Sequence, residues 1–333
     1  MNFLFSHGRT AFKYGLIYLG IKKNDKILIP EYICDVLLDP LKDLGIKPIF
    51  YEINEDFTTN WKSLKKNYHQ SVKALVVINY FGFEEEKKKF SFFCKKKNLF
   101  LIEDDCHSFR INKKKGKNYS DIIFYSIRKL ITKIYSGGVL EIKNKKNINI
   151  SSHIKLKKYK IKITNILNNF LENNFLVFKR ILKNKLFKMP NYLKLNAIKN
   201  EKIKEDFLID DLSKSIFSKK KFSEIKKIRY KNYVIWKQLC KKNKSIEIIK
   251  RNFDKDNIPW VFPAYVKNLQ VRKKIFKFGW ENGYVITSWP SLPNNLINKR
   301  NKNIWNKLVC FNTDKAPDDK SINFSNLIFK SND

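Results

Sequence analysis

The chain has 333 residues, 43% of them hydrophobic and 14% aromatic, which is enough to bury a sizeable core and argues against a disordered chain. Its 69 Lys+Arg against 31 Asp+Glu give a formal net charge of +38, which admits a nucleic acid or an anionic surface as partner. The lysine runs at 87–89, 95–97, 113–115 and 219–221 nevertheless lie in separate segments, as on a solvated surface, and not in one tail or helix.

Five cysteines (Cys34, Cys94, Cys106, Cys240, Cys310) form no C-x-x-C pair, so neither a zinc site nor a disulfide framework is suggested, and a reducing cytoplasm fits. No metal is expected. Met1 to Arg9 lack the apolar stretch of a signal peptide, and the longest apolar runs, such as 74–78, are strand-sized and far from a membrane span.

In chain order, Arg9–Gly20 shows helical spacing and Ile27–Pro30 is a short apolar strand ending at proline. A helix over Ile33–Leu44, a strand over Lys47–Ile53 and a buried-type strand over Ala74–Tyr80 follow. Then come a helix over Glu84–Lys97 and strands over Phe100–Glu103, Asp121–Ser126 and Val139–Ile142. Strands alternating with helices predict crossovers and a mainly parallel sheet with helices on both faces.

Residues 145–210 read as Lys/Asn-rich helices without sharp boundaries, closing a large domain over 1–210. Ser213–Lys242 reads as one long helix, the core of a connector over 211–245. A small α/β domain over 246–333 is expected to hold a strand Trp260–Val266, a helix Leu269–Gly279, a strand Tyr284–Ser288 and further helical pieces.

Ligands in such sheets bind beyond the carboxyl ends of the strands. Three constellations lie there or at a helix start. Glu103-Asp104-Asp105-Cys106-His107 follows an apolar strand, where a carboxylate is held rigidly enough to meet a cofactor's cationic nitrogen; the same acids also read as a helix N-cap. Asp121 to Lys129, followed by Ser136-Gly137-Gly138, carries a hydroxyl (Ser126) and a lysine on a turn, with a Gly pair that permits positive φ or close backbone approach. A desolvated lysine there is a nucleophilic amine able to form a Schiff base; otherwise Lys129 is one more surface lysine. Ser6 to Ala11 opens a helix with small and hydroxyl residues, as a phosphate site or an ordinary cap. An anion cradle, an acid for a ring nitrogen and an amine for an aldehyde together match the demands of pyridoxal 5′-phosphate.

These stretches resemble the DegT/StrS family of sugar aminotransferases, whose fold is type I of the pyridoxal-phosphate enzymes. The resemblance rests on residues 6–12, on Ile27 to Cys34, on Leu101 to His107 and on Asp121 to Lys129 with its Gly pair. It continues at Arg229 to Tyr233, Phe262-Pro263 and Ser288 to Pro293, covering about 6–143 and 210–312. It implies Lys129 as the Schiff-base lysine and proton shuttle, Asp104 on the pyridinium, and His107 near the phenolic oxygen. Thr10 and Ser126 would bind the phosphate, and Gly8 and Arg9 of the phosphate segment count among the cofactor-binding residues. Where larger relatives carry an aromatic over the ring this chain has Cys34, with Tyr32 close by.

The resemblance further implies a homodimer and amination of a nucleotide-linked keto sugar, commonly from glutamate. A branch in which histidine replaces the lysine deoxygenates instead, and Lys129 argues against it. The chain starts almost at the phosphate segment, and the family's Asn-Tyr-Arg segment is not recognisable between 145 and 215. The rival readings are a catalytically degenerate or regulatory homologue and a basic nucleic-acid-binding protein.

Overall fold

The computed structural model describes residues 2–110, 119–131, 134–143, 156–162, 164, 166–167, 206–219 and 222–317. In chain order these form β1 (Asn2–Phe5), α1 (Gly8–Tyr18), β2 (Lys26–Pro30), α2 (Asp39–Leu44), β3 (Lys47–Tyr51), α3 (Trp61–Asn67), β4 (Val72–Ile78) and α4 (Lys87–Lys96). There follow β5 (Phe100–Asp104), β6 (Ser108–Arg110), β7 (Ile122–Ser126) and β8 (Gly138–Ile142). The rest comprises α5 (Asp211–Lys219), α6 (Phe222–Lys241), β9 (Ile246–Ile248), β10 (Asn257–Pro259), β11 (Val261–Val266), α7 (Leu269–Glu281), β12 (Ile286–Thr287), α8 (Lys299–Lys307) and β13 (Leu308–Asn312). The helical reading of 145–210 falls largely outside the described residues.

Seven strands form one sheet in the order β1-β8-β7-β5-β4-β2-β3. β3, β2, β4, β5 and β7 run parallel, and β8 pairs antiparallel with both β7 and β1. Alternate side chains along each strand enter different cores, because successive Cβ atoms point to opposite faces. Ile27 and Ile29, Val76 and Ile78, and Ile122 and Phe124 pack with Ala11, Phe12 and Leu16 of α1. Leu28, Leu75, Val77 and Leu101 pack on the other face with Leu64 of α3 and with Phe90 and Cys94 of α4. Burying one such side chain fully is worth about 1.5–3 kcal/mol, so covering both faces explains why these strands read as unbroken apolar runs.

A second, antiparallel sheet runs β12-β13-β11-β9 and packs its own core against Tyr233 and Trp236 of α6 and Ile275, Phe276 and Phe278 of α7. A two-stranded pairing of β10 with β6 ties this C-terminal part to the segment after β5.

Several expectations change. Residues 33–44 hold a 3₁₀ turn at Asp35–Leu37 and then the short α2, because Pro40 at the helix start and Gly45 in the left-handed region after it leave only six helical residues. The helical pieces expected after Trp289-Pro290 give way at Leu308–Asn312 to β13, which pairs with both β11 and β12. The single connector helix is described as α5 and α6, and residues 220–221 between them lie outside the described residues; Phe217 of α5 and Phe222 of α6 both pack on Phe109 and on each other. The strand expected at 284–288 shrinks to Ile286–Thr287. Among the described residues no helix is long and apolar enough to cross a membrane.

Candidate active site

The carboxyl ends of β2, β5 and β7 and the N-terminus of α1 converge on a cavity of about 260 Å³. Gly8, Arg9, Cys34, Asp104, His107, Ser126 and Lys129 all line it. Thr10 and Tyr32 do not. Thr10 is buried in the first turn of α1, while Tyr32 stands behind the wall, donating its hydroxyl to the Trp289 carbonyl at 2.9 Å.

The acids after β5 cap no helix. The chain turns there and pairs again as β6, so the N-cap reading gives way to a tight acid-bearing turn: Asp104 Oδ1 accepts the Cys106 amide at 2.9 Å and Asp105 Oδ1 accepts the Ser108 hydroxyl at 2.8 Å. Asp104 is buried and makes no ion pair among the described residues, so burial raises its pKa, opposed by the Cys106 amide and by Lys129. A carboxylate buried without a cation is costly, and a protonated ring nitrogen in the cavity would relieve it.

His107 accepts the Phe81 amide at Nδ1 (3.1 Å), which leaves its proton on Nε2; burial, with Lys129 nearby, lowers its pKa well below the usual value and keeps the ring neutral. Phe81 stacks on His107 with ring centroids 5.5 Å apart, and Trp289 meets it edge-on at 4.5 Å.

At the opposite side, α1 begins with no side chain among the described residues capping it, and Gly8 and Arg9 of its first turn line the cavity. Arg9 lies beside Asp39 at 3.8 Å through Nη1, but its buried Nη2 has no partner. His7, pushed down to about 2 by burial and by Arg128 and Arg9, adds no charge. An anion fits this end, because among the described residues no side chain caps the helix start and Nη2 lacks an acceptor. The turn can sit here because of the Gly pair. A Cβ on Gly138 would lie 2.0 Å from the His7 carbonyl oxygen, and the Gly137 amide donates to the Ser6 carbonyl at 2.6 Å. Close backbone approach is therefore what the pair supplies.

Lys129 ends a 3₁₀ turn that continues β7, and its Nζ lies 4.5 Å above the centre of the Trp260 ring. That contact holds the half-buried lysine side chain against the cavity wall.

Residues 4–150 match the sequence profile of the DegT/DnrJ/EryC1/StrS aminotransferase family. Over this stretch the chain is similar to that family. A second profile, described as DNA mismatch repair protein HSM3, C terminal domain, matches residues 182–311. The GDP-perosamine synthase of Escherichia coli O157:H7 is 28% identical over 141 residues, 40% of this chain and 38% of that protein. The match thus spans about two fifths of the relative's length. Among solved structures, the E. coli GDP-4-keto-6-deoxy-D-mannose-3-dehydratase with bound hydrated PLP shares 16% identity, covering 98% of this chain and 86% of that one at a TM-score of 0.65. Helicobacter pylori PseC, an aminotransferase involved in the biosynthesis of pseudoaminic acid, shares 14% over 98% and 85% at 0.63. The fold is type I of the pyridoxal-phosphate-dependent enzymes, and the likeness extends through the range matched by the second profile.

Several residues that complete the cavity escaped the sequence reading. Trp260 and Trp289 come from the C-terminal part more than 120 residues downstream, where only the Ser288-Trp-Pro segment gave a local signal. Cys106 and Arg128 lay inside motifs already noted but without a role. Lys87, read as part of a solvated run, is largely buried and pairs with Glu103 at 2.8 Å.

Proposed function

We propose that the protein is a pyridoxal-phosphate-dependent aminotransferase that passes an amino group from a donor, expected to be glutamate, to a nucleotide-linked keto sugar. The observation that carries this is one cavity lined by a lysine whose amine lies over an indole ring, a buried carboxylate without an ion pair among the described residues and an uncapped helix N-terminus with an unsatisfied arginine nitrogen. The names of the relatives, GDP-perosamine synthase and PseC, support the substrate class.

When bound, pyridoxal phosphate supplies an aldehyde for the lysine amine and a protonated ring that draws electrons from the carbon beside the substrate nitrogen. Asp104 would hold the ring-nitrogen proton, and in doing so would keep its own carboxylate ionised. The α1 amides, Arg9 and Ser126 would bind the phosphate, Gly8 leaving room for it, with Thr10 in the same turn. His107 would donate from Nε2 to the phenolic oxygen. Cys34 would face the ring with a small neutral thiol, since burial raises its pKa, and Tyr32 would fix Trp289 from behind. Lys129 Nζ would take the proton from the donor's α-carbon and return it one position along, a shift in which a well-placed general base is worth about 10²–10⁴-fold. The aromatic walls Trp260, Trp289 and Phe81 would exclude water from that transfer.

We further read the protein as a cytoplasmic homodimer acting without a specific nucleic acid, in keeping with its five free thiols. The test is to load purified protein with pyridoxal phosphate, reduce it with borohydride and map the adduct by peptide mass spectrometry. The label is expected on Lys129, and glutamate with a panel of nucleotide keto sugars is expected to yield 2-oxoglutarate. No visible band after cofactor addition, or a label scattered over other lysines, would sink the proposal.

A further inference from the structure

The Arg229 to Tyr233 stretch of α6 has no part in the chemistry above, yet it reaches the Lys129 segment directly. The Arg229 side chain is 3% exposed and donates to three separate pieces of the chain. Nη1 reaches the carbonyls of Pro259 and Trp260 at 3.3 Å each and the Thr313 hydroxyl at 2.9 Å. Nη2 reaches the Lys129 carbonyl at 3.4 Å and forms an ion pair with Asp314. Asn232, three residues along the same helix, donates to the Thr313 carbonyl at 2.9 Å.

Of the three residues that this single guanidinium holds by their main chains, Lys129, Pro259 and Trp260, the first and the last are also the two whose side chains meet, Nζ over the indole at 4.5 Å. The remainder of the Lys129 loop is pinned separately: the Ser213 hydroxyl of α5 accepts the amides of Tyr135 at 2.9 Å and Ser136 at 3.2 Å. Only Arg229, among these anchors, contacts the lysine residue itself. A planar fork with five donors can serve acceptors in several directions at once, which an ammonium on a flexible stem cannot do with the same rigidity.

We propose that Arg229 is the positioning residue for the Lys129 amine, fixing the lysine backbone against the Trp260 wall so that Nζ is held at one place in the cavity. The proposal rests on Lys129 being the residue that joins the cofactor. A displacement of about 1 Å at such a group costs up to roughly a hundredfold in rate. Asp314 serves a different end in this arrangement, since it neutralises the buried guanidinium without touching Lys129.

The test compares wild type with Arg229→Gln, Arg229→Lys and Asp314→Asn, each loaded with pyridoxal phosphate and held well below its melting temperature. Two readouts are taken: the pH midpoint of the cofactor's visible band, and the yield of borohydride-fixed label on Lys129. Both Arg229 variants are expected to shift the midpoint and to lower the yield roughly tenfold, within the rate loss that misplacement allows. Asp314→Asn is expected to lower the melting temperature and leave both readouts at the wild-type values. A wild-type midpoint and yield in Arg229→Gln, or in Arg229→Lys should the glutamine variant not fold, overturns the inference, as does an equal shift in Asp314→Asn. If wild type itself takes no label on Lys129, the reading of Lys129 fails first and this inference with it.

Discussion

Asp104 and Asp105 are neighbours in sequence and face different worlds. Asp104 looks into the cavity with no ion pair among the described residues, whereas Asp105 points back into a polar cluster of Lys87, Glu103, Asn79 and Ser108. Burial pushes Asp105 up to about 6 despite Lys87, helped by the like charge of Glu103. A carboxyl whose folded pKa lies above its unfolded value of 3.8 gives stability that is full below pH 3.8 and is lost as pH rises through about 6. We predict that denaturant midpoints of Asp105→Asn, compared with wild type from pH 4 to 7, move in favour of the variant up to about pH 6 and stay level above. The span is roughly 3 kcal/mol, at about 1.4 kcal/mol per unit. A difference that does not change with pH would refute the assignment. The local pattern named both acids without separating them and only the family resemblance singled out Asp104, because it is the turn after β5 that aims one at the cavity and the other away.

At the scale of elements, the Gly137-Gly138 pair is where β8 meets the turn between β1 and α1. Replacing Gly138 by alanine would drive a Cβ into the His7 backbone, which has no rotamer to yield, and the strain falls on the turn that forms the anion cradle. We expect Gly138→Ala to cost about 3 kcal/mol in chemical denaturation and to abolish cofactor retention. Gly20, with φ +72 and nothing within 4 Å of where a Cβ would stand, is the control. Gly20→Ala should cost about 1–2 kcal/mol in backbone strain and leave retention unchanged. Equal loss of retention in both would mean the close approach at Gly138 has no special part in the site. The alternation of helix and strand was legible because both faces of the sheet are covered, giving apolar runs of strand length. β1, β6, β9 and β10 were not, since strands of three or four residues carry too few positions for a period and exist only through their partners.

For the whole molecule, the charge of +38 sets a background that is separate from the chemistry. Exposed lysines spread over many segments bind polyanions through counterion release, which weakens steeply with salt. Retention of the protein on DNA is therefore expected to vanish between low and physiological salt and to be the same for Lys129→Ala as for wild type. Sequence-specific binding that survives high salt would revive the nucleic-acid reading. Sedimentation tests the dimer, and an active monomer would contradict it.

The sequence by itself determined the α/β class, the order of the main strands and the chemical identity of the cavity's lysine, acid and helix start. Each of these is written in a local pattern of a few adjacent residues. Only the tertiary structure decided that Trp260 stands against Lys129, that Trp289 closes the wall, that Tyr32 works from behind it and that Arg229 grips the lysine's backbone. Those contacts join residues 100 or more positions apart, and their formation depends on how two sheets and the helices between them pack, which no local spacing encodes.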